Sequence, residues 1–285
     1  MPLTQVQAVA AMKDYDARHN SASQAAGRAF DPVPWSKADT GMLYARRRLD
    51  TAVRKVEDDR RPFTVAHSVR SVYTPAVDGQ TQHAVLDLDR VSGGRTTHVL
   101  GVLSRDDESS PWLMTALVRY TLADLPKPLA RGREASLSTS ERTTVLDRVT
   151  ELATQLTAGK GPLVRGELAN LSGEFVSWTG KRPRFSLWST ESDQFGPRGS
   201  LQAVKVSDGG TLVIASLVAD TVHEAQRGES FDTTRLDNSY LEATGQQGRG
   251  LPQLRIRNGV TAALLLDATG GVRLLAADSA GLPLR

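Results

Sequence analysis

The sequence predicts an α+β protein of two tandem domains, each with helices packed on a curved antiparallel sheet. Three observations support this. The chain has 285 residues, long for one antiparallel unit and natural for two domains of roughly 100–150 residues. A helical region is followed by antiparallel strands in each half. One hairpin pattern also occurs twice: an apolar strand, a polar turn ending in Gly-Gly, then a more apolar strand. It lies at 82–103 with Gly93 and Gly94, and at 199–218 with Gly209 and Gly210. The stretch 121–137 carries two prolines, a glycine and no sustained period. It divides the chain into domains 1–125 and 138–285.

In the first half, Thr4 and Gln7 have the spacing of a capping box, which predicts a helix running to about Gly27. Asp31-Pro32-Val33-Pro34 stops it, because proline cannot continue a helix. Ser36 opens a second helical stretch in which Met42, Leu43, Ala45, Leu49, Ala52, Val53 and Val56 recur at helical spacing. After Pro62 the period becomes two. Phe63, Val65, His67, Val69 and Tyr73 share one phase of a strand. Ala84, Leu86 and Leu88 alternate with Asp87 and Asp89 in the next. Val99–Leu103, apolar on both phases, reads as a central strand, and a fourth runs from Pro111 to Tyr120.

In the second half, Ser138 and Glu141 form another capping box. Val145, Val149, Leu152 and Leu156 mark the buried stripe, and Gly159 is the stop. Residues 163–178 are ambiguous between helix and strand, 184–190 suit a strand, and 191–198 a loop. The second hairpin extends to about Val222. A polar loop at 227–250 has Tyr240 and Leu241 as anchors, and strands at 253–267 and 272–277 close the chain. Asn258-Gly259 predicts a bulge or a further turn.

Composition narrows the function classes. Net charge is +3, with 28 Arg and 7 Lys scattered among 32 acids, and aromatics are 5%. A nucleic-acid surface needs clustered charge with aromatic platforms, so no nucleic-acid partner is expected. There is no cysteine, which removes thiol chemistry and thiolate zinc sites. No apolar run reaches the roughly 18 residues of a spanning helix, so no membrane span is expected. The five histidines show no metal-ligand spacing, and neither a nucleophile motif nor a phosphate loop is present; no metal and no cofactor are expected. His83, Asp87 and Asp89 share one phase of a strand, a grouping suited to acid–base chemistry that on a meander usually means the solvated face. His83 and His98 flank one hairpin and are candidates to meet across it. Tyr15, His19, Trp35 and Tyr44 lie in the helical region, where they either pack at the helix–sheet junction or line a pocket. His67 joins them from the apolar phase of its strand.

Helices followed by a curved meander resemble the cone-shaped nuclear-transport-factor-2-like (cystatin-like) architecture, here in tandem. The chain also resembles an uncharacterised actinobacterial family of lipoproteins or secreted proteins. The residues carrying this are Pro2-Leu3-Thr4 through Tyr15, His19-Asn20-Ser21-Ala22, Asp39–Ala45, Gln202-Ala203-Val204 and Asp208–Ile214. That resemblance implies an extracytoplasmic, cell-envelope protein, membrane-anchored or secreted, with a leader and a lipid anchor absent from this sequence. A cytoplasmic location is the alternative. The expected function is non-enzymatic binding of a partner protein or a small apolar ligand, with Tyr15, His19, Trp35, Tyr44 and His67 as pocket candidates. The alternative is a cofactor-independent cone-fold enzyme of isomerase, cyclase or hydrolase type, working through an acid–base pair with His67 the best candidate.

Overall fold

Thr4 caps helix α1 (Gln5–Ala29) as its spacing predicts: its hydroxyl accepts from the Gln7 amide, and the Gln7 side chain accepts from the Thr4 amide in return. The computed structural model describes residues 3–73, 82–121, 125–129, 136–166, 168–170, 184–187, 201–225, 227–234 and 238–284. After α1 comes a 3₁₀ turn (Val33–Lys37) and then α2 (Gly41–Val56). Helix α2 thus begins five residues later than Ser36. The intervening chain is held extended on a strand: the Thr40 amide donates to the Met114 carbonyl, and the Met114 amide donates to the Ala38 carbonyl, both at 2.9 Å.

The first sheet is a meander, β1 (Ala66–Tyr73), β2 (Gln82–Ser92), β3 (Arg95–Arg105) and β4 (Leu113–Tyr120), paired antiparallel in that order. Gly93 and Gly94 join β2 to β3 with φ of 54° and 75°, the left-handed conformation that a tight hairpin requires at both central positions. The single strand phase expected for β1 does not persist. A register shift between Val69 and Ser71 turns Tyr73 onto the opposite face from His67.

The second half opens with α3 (Thr139–Ala158), capped reciprocally by Ser138 and Glu141 and ended by Gly159 at φ 66°. Its sheet contains β5 (Arg184–Leu187), β6 (Leu201–Lys205), β7 (Thr211–Glu224), β8 (Gln253–Leu266) and β9 (Val272–Gly281). A short helix α4 (Ser239–Ala243) precedes β8 and carries the anchors Tyr240 and Leu241. Strands β5 and β6 both pair with β7, β6 along Thr211–Ala215 and β5 along Leu217–Asp220; β8 and β9 follow on its other side. Asn258-Gly259 makes neither bulge nor turn, since the ladder to β7 runs through it unbroken. Glycine is needed there because α2 leans on β8: a Cβ at position 259 would lie 2.5 Å from Met42 Sδ. Parts of the expected linker, most of 163–178 and the loop 191–198 lie outside the described residues.

The two sheets pack face to face, with helices on their outer faces. On β2 and β3, Ala84, Leu86, Leu88, Val99 and Leu103 meet α1 and the start of α2. The alternate residues Val85, Leu100 and Val102 meet Val204, Leu212, Ile214 and Ala263 of the second sheet. The far face of that sheet, including Val213, Ala215, Leu217, Ala262 and Leu264, packs on the α3 stripe. Period-two alternation therefore supplies two apolar faces to each central strand. Each fully buried aliphatic side chain contributes about 1.5–3 kcal/mol of transfer free energy as an upper bound. Among the described residues, no helix is long and apolar enough to cross a membrane.

Candidate functional site

The apolar layer between α1, α2 and the first sheet is interrupted by a polar cluster. Helical spacing puts Tyr15 and His19 of α1 on one face, one turn apart. Asp39 arrives from the extended segment before α2, and Arg47 from the second turn of α2. Tyr15 Oη donates to Asp39 Oδ1 at 2.9 Å, and Arg47 Nε donates to Asp39 Oδ2 at 3.2 Å. The Asp39 side chain has no exposure and that of Arg47 only 11%. Burial pushes the Asp39 carboxyl up, while Arg47 and the Tyr15 hydroxyl oppose that shift. Burial pushes the Tyr15 hydroxyl well up too, and the Asp39 charge adds to this.

Arg47 is also framed by rings. Its guanidinium lies 5.1 Å from the Trp35 ring centroid and 5.5 Å from that of Phe63, and those two rings stack on each other. Such contacts contribute about 0.5–2 kcal/mol each, more where water is excluded. Trp35 Nε1 donates to Thr51 Oγ1, which donates to the Arg47 carbonyl.

His19 packs edge-on against Trp35 and Phe63. Arg47 Nη2 lies 3.3 Å from His19 Nε2. A guanidinium only donates, so Nε2 accepts and the ring proton sits on Nδ1. Burial first, and then the Arg47 charge, lower the His19 pKa to about 2, so the imidazole is neutral. Its Nδ1 is buried with no partner. Neighbouring Asn20, whose amide donates to the Val65 carbonyl and accepts from the Val65 N–H, both at 2.9 Å, comes close enough to oppose that lowering slightly, but makes no hydrogen bond of good geometry to Nδ1.

His67 enters from β1 beneath α1, 2% exposed. Its Nδ1 donates to Asp16 Oδ1 at 2.6 Å, and its backbone amide donates to Asp16 Oδ2 at 2.7 Å. The carboxylate thereby fixes the tautomer and leaves Nε2 as an acceptor, buried and without a partner. The Tyr15 ring lies between the two histidines, 5.5 Å from His19 and 5.9 Å from His67.

Of the residues singled out from sequence, the structure thus gathers Tyr15, His19, Trp35 and His67 into one cluster. Tyr44 packs on its outer side against Ala22, Ala26 and Trp35. Sequence reasoning missed Asp39, Arg47, Asp16 and Arg90. Arg90 had a readable signal: it continues the apolar phase of Ala84, Leu86 and Leu88, where a charge is out of place. It stands opposite His67 in the strand register and is half-buried.

A second polar group lies on the opposite face of the first sheet. Tyr120 Oη makes a short contact to Asp87, His98 Nδ1 donates to Asp89 at 2.7 Å, and Arg70 stands 3.8 Å from each carboxylate. The expectation of a solvated face is wrong for Asp87, which is 6% exposed because the second sheet covers that face. His83 and His98 do not meet, since the register places His83 opposite Ser104 and His98 opposite Asp89. A cavity of about 20 Å³ lies where α2 meets β4, β8 and β9, bordered by Arg46, Thr115, Gly259 and Asp278. That is room for about one water. Among the described residues, no group of three or more His, Asp and Glu is placed to hold a metal ion. No model of a known family matches the sequence, and no curated protein matches it either.

Proposed function

We propose that the protein is a non-enzymatic binding protein whose small ligand is held by the first half, between α1, α2 and the sheet. Two helices on one face of a four-stranded antiparallel meander support a nuclear-transport-factor-2-like reading of that half, in which this is the pocket position. The observation that carries the proposal is the pair of unpartnered ring nitrogens, His19 Nδ1 and His67 Nε2, buried on either side of Tyr15. A buried polar atom left unpaired costs about 1–3 kcal/mol, and the two have opposite characters. Nδ1 of His19 is a donor and Nε2 of His67 an acceptor. A ligand that carries an acceptor for the first and a donor for the second, such as an alcohol, amide or carboxylic acid, satisfies both, while the aromatic rings take its apolar part.

The test is long-range ¹H–¹⁵N NMR of the imidazole rings during titration with small aliphatic alcohols, amides and carboxylic acids. The proposal expects at least one of these to move His19 Nδ1 and His67 Nε2 saturably. It fails if all of them leave both rings unmoved.

The Asp16–His67 pair favours a second reading, a cofactor-independent acid–base enzyme. A carboxylate that holds Nδ1–H orients the ring and leaves Nε2 free to take a proton from a substrate. His67→Gln keeps the volume and removes the base. Turnover that survives this change unaltered excludes the enzymatic reading.

A further inference from the structure

Arg90 is the one member of its neighbourhood whose charge is not answered. It projects from the helix-facing side of β2, between His67 on β1 and Thr97 on β3. It is half-buried, and among the described residues no carboxylate pairs with it. Burial first, and then the charges of Arg47 and Arg46 on α2 and of Arg119 on β4, lower its pKa, and Tyr15 opposes this. The nearby carboxylates are engaged elsewhere, Asp16 by His67. Asp39 is held by Arg47 and Tyr15. Asp278 faces Arg119 at 3.3 Å and Arg46 at 3.9 Å, and Asp50 faces Arg46 and Arg47.

A guanidinium does not shed its proton at any ordinary pH, so beyond hydration of its exposed part an added anion is what would answer the charge. Exposure is also graded, from 11% for the Arg47 side chain through 36% for Arg46 to 55% for Arg119. The positive groups therefore run from the buried cluster out to solvent. Such a gradient, offset in part by Asp39, Asp50 and Asp278, draws an anion inward, and the planar fork of an arginine matches a carboxylate or a phosphate.

We propose that Arg90, next to His67 on the helix-facing side of the first sheet, is an oxyanion site that receives the carboxylate or phosphate of the ligand. This rests on the ligand-binding reading above and adds the ligand's charge. The apolar remainder of the ligand lies toward Tyr15 and Trp35, and Arg90 holds the acidic end.

The experiment titrates the full chain at low ionic strength with inorganic phosphate and, separately, acetate, with chloride as the ionic-strength control. Arginine Nε–Hε and imidazole resonances are followed by NMR. Phosphate or acetate is expected to shift Arg90 Nε–Hε saturably, where chloride does not. Arg90→Met is expected to weaken binding roughly tenfold or more, and Arg90→Lys to fall between. Arg227→Met removes an exposed charge from the second half and is expected to bind like wild type. Arg90→Met is also expected to keep or raise the thermal midpoint, because it removes a repelled charge, and phosphate is expected to raise the midpoint of wild type only. Equal binding by wild type and Arg90→Met, or no shift at Arg90 with either anion, overturns the oxyanion site. If 1-hexanol then moves the His19 and His67 rings while the anions move nothing, the ligand-binding reading stands and only the charge assignment falls. If neither class moves any of these groups, both fall.

Discussion

His19 should make the stability of this protein fall as the solution is acidified, by an amount that follows from its burial. The ring is 1% exposed and its pKa is lowered to about 2, first by burial and then by the Arg47 charge. In the unfolded chain a histidine titrates near 6.5. Below that pH the unfolded state takes up a proton that the folded state refuses, so the stability His19 contributes is complete above about 6.5 and drains as pH falls toward about 2. At about pH 5 the loss is about 2 kcal/mol relative to about pH 8, from the protonation free energy of the unfolded histidine. The perturbation is His19→Gln, which keeps an acceptor for Arg47 and has no proton to gain. Urea unfolding of both proteins at the two pH values gives a double difference in which groups common to both cancel. Wild type should lose about 2 kcal/mol more than the variant. If the two lose the same amount to within about 0.5 kcal/mol, His19 is not held neutral by its surroundings and the account of the cluster is wrong.

Three further outcomes follow from the packing. Asp39→Ala strands Arg47 and the Tyr15 hydroxyl in the interior and should cost about 3–5 kcal/mol by urea denaturation, whereas Asp39→Leu combined with Arg47→Met should cost much less. Gly27→Ala, a change that ordinarily strengthens a helix by about 0.5–1 kcal/mol, should lower the thermal midpoint. Its new Cβ would lie 2.8 Å from the Arg60 carbonyl oxygen. Tyr120→Phe removes the hydroxyl that faces Asp87 on the inter-sheet face and should cost about 1–3 kcal/mol, read as a shift in urea midpoint with unchanged slope.

What the sequence disclosed was what local chemistry determines. Both capping boxes close as their spacing requires, because a Ser or Thr three residues ahead of Gln or Glu satisfies orphan amides without help from elsewhere. Gly93 and Gly94 turn the chain for an equally local reason. The features that escaped depend on contacts between distant segments. Asp87 looked solvated because alternation cannot say what covers the second face of a sheet, and here another sheet does. The shift between Val69 and Ser71 leaves no mark in the residue pattern, yet it sends His67 into the cluster and Tyr73 to the other face. Gly259 read as a bulge signal, whereas its lack of a side chain serves the approach of Met42. The candidate site was half legible. Its aromatic and histidine members stand out by type and Arg90 by its charge on an apolar strand phase, while Asp39 and Arg47 acquire meaning only when α2 is laid over the first sheet.

The two halves also differ in a way that bears on the proposed function. Where α3 covers the second sheet, Val145, Val149, Leu152 and Leu156 meet Val213, Ala215, Leu217 and Leu264, and the described contact is aliphatic. Where α1 and α2 cover the first, the same layer holds Tyr15, His19, Asp39, Arg47, His67 and Arg90. Aliphatic replacements of about equal volume would stabilise that layer as well or better, since a buried ion pair seldom outweighs its desolvation. A fold that needed only a core would follow the pattern of the second half. Retaining two unpaired imidazole nitrogens and an unanswered guanidinium in the first is a standing cost to stability. Such a cost makes physical sense at a place that something else completes on binding. On the proposed reading, the second half closes the open face of the first sheet through Val204, Leu212, Ile214 and Ala263, and recognition falls to the first half.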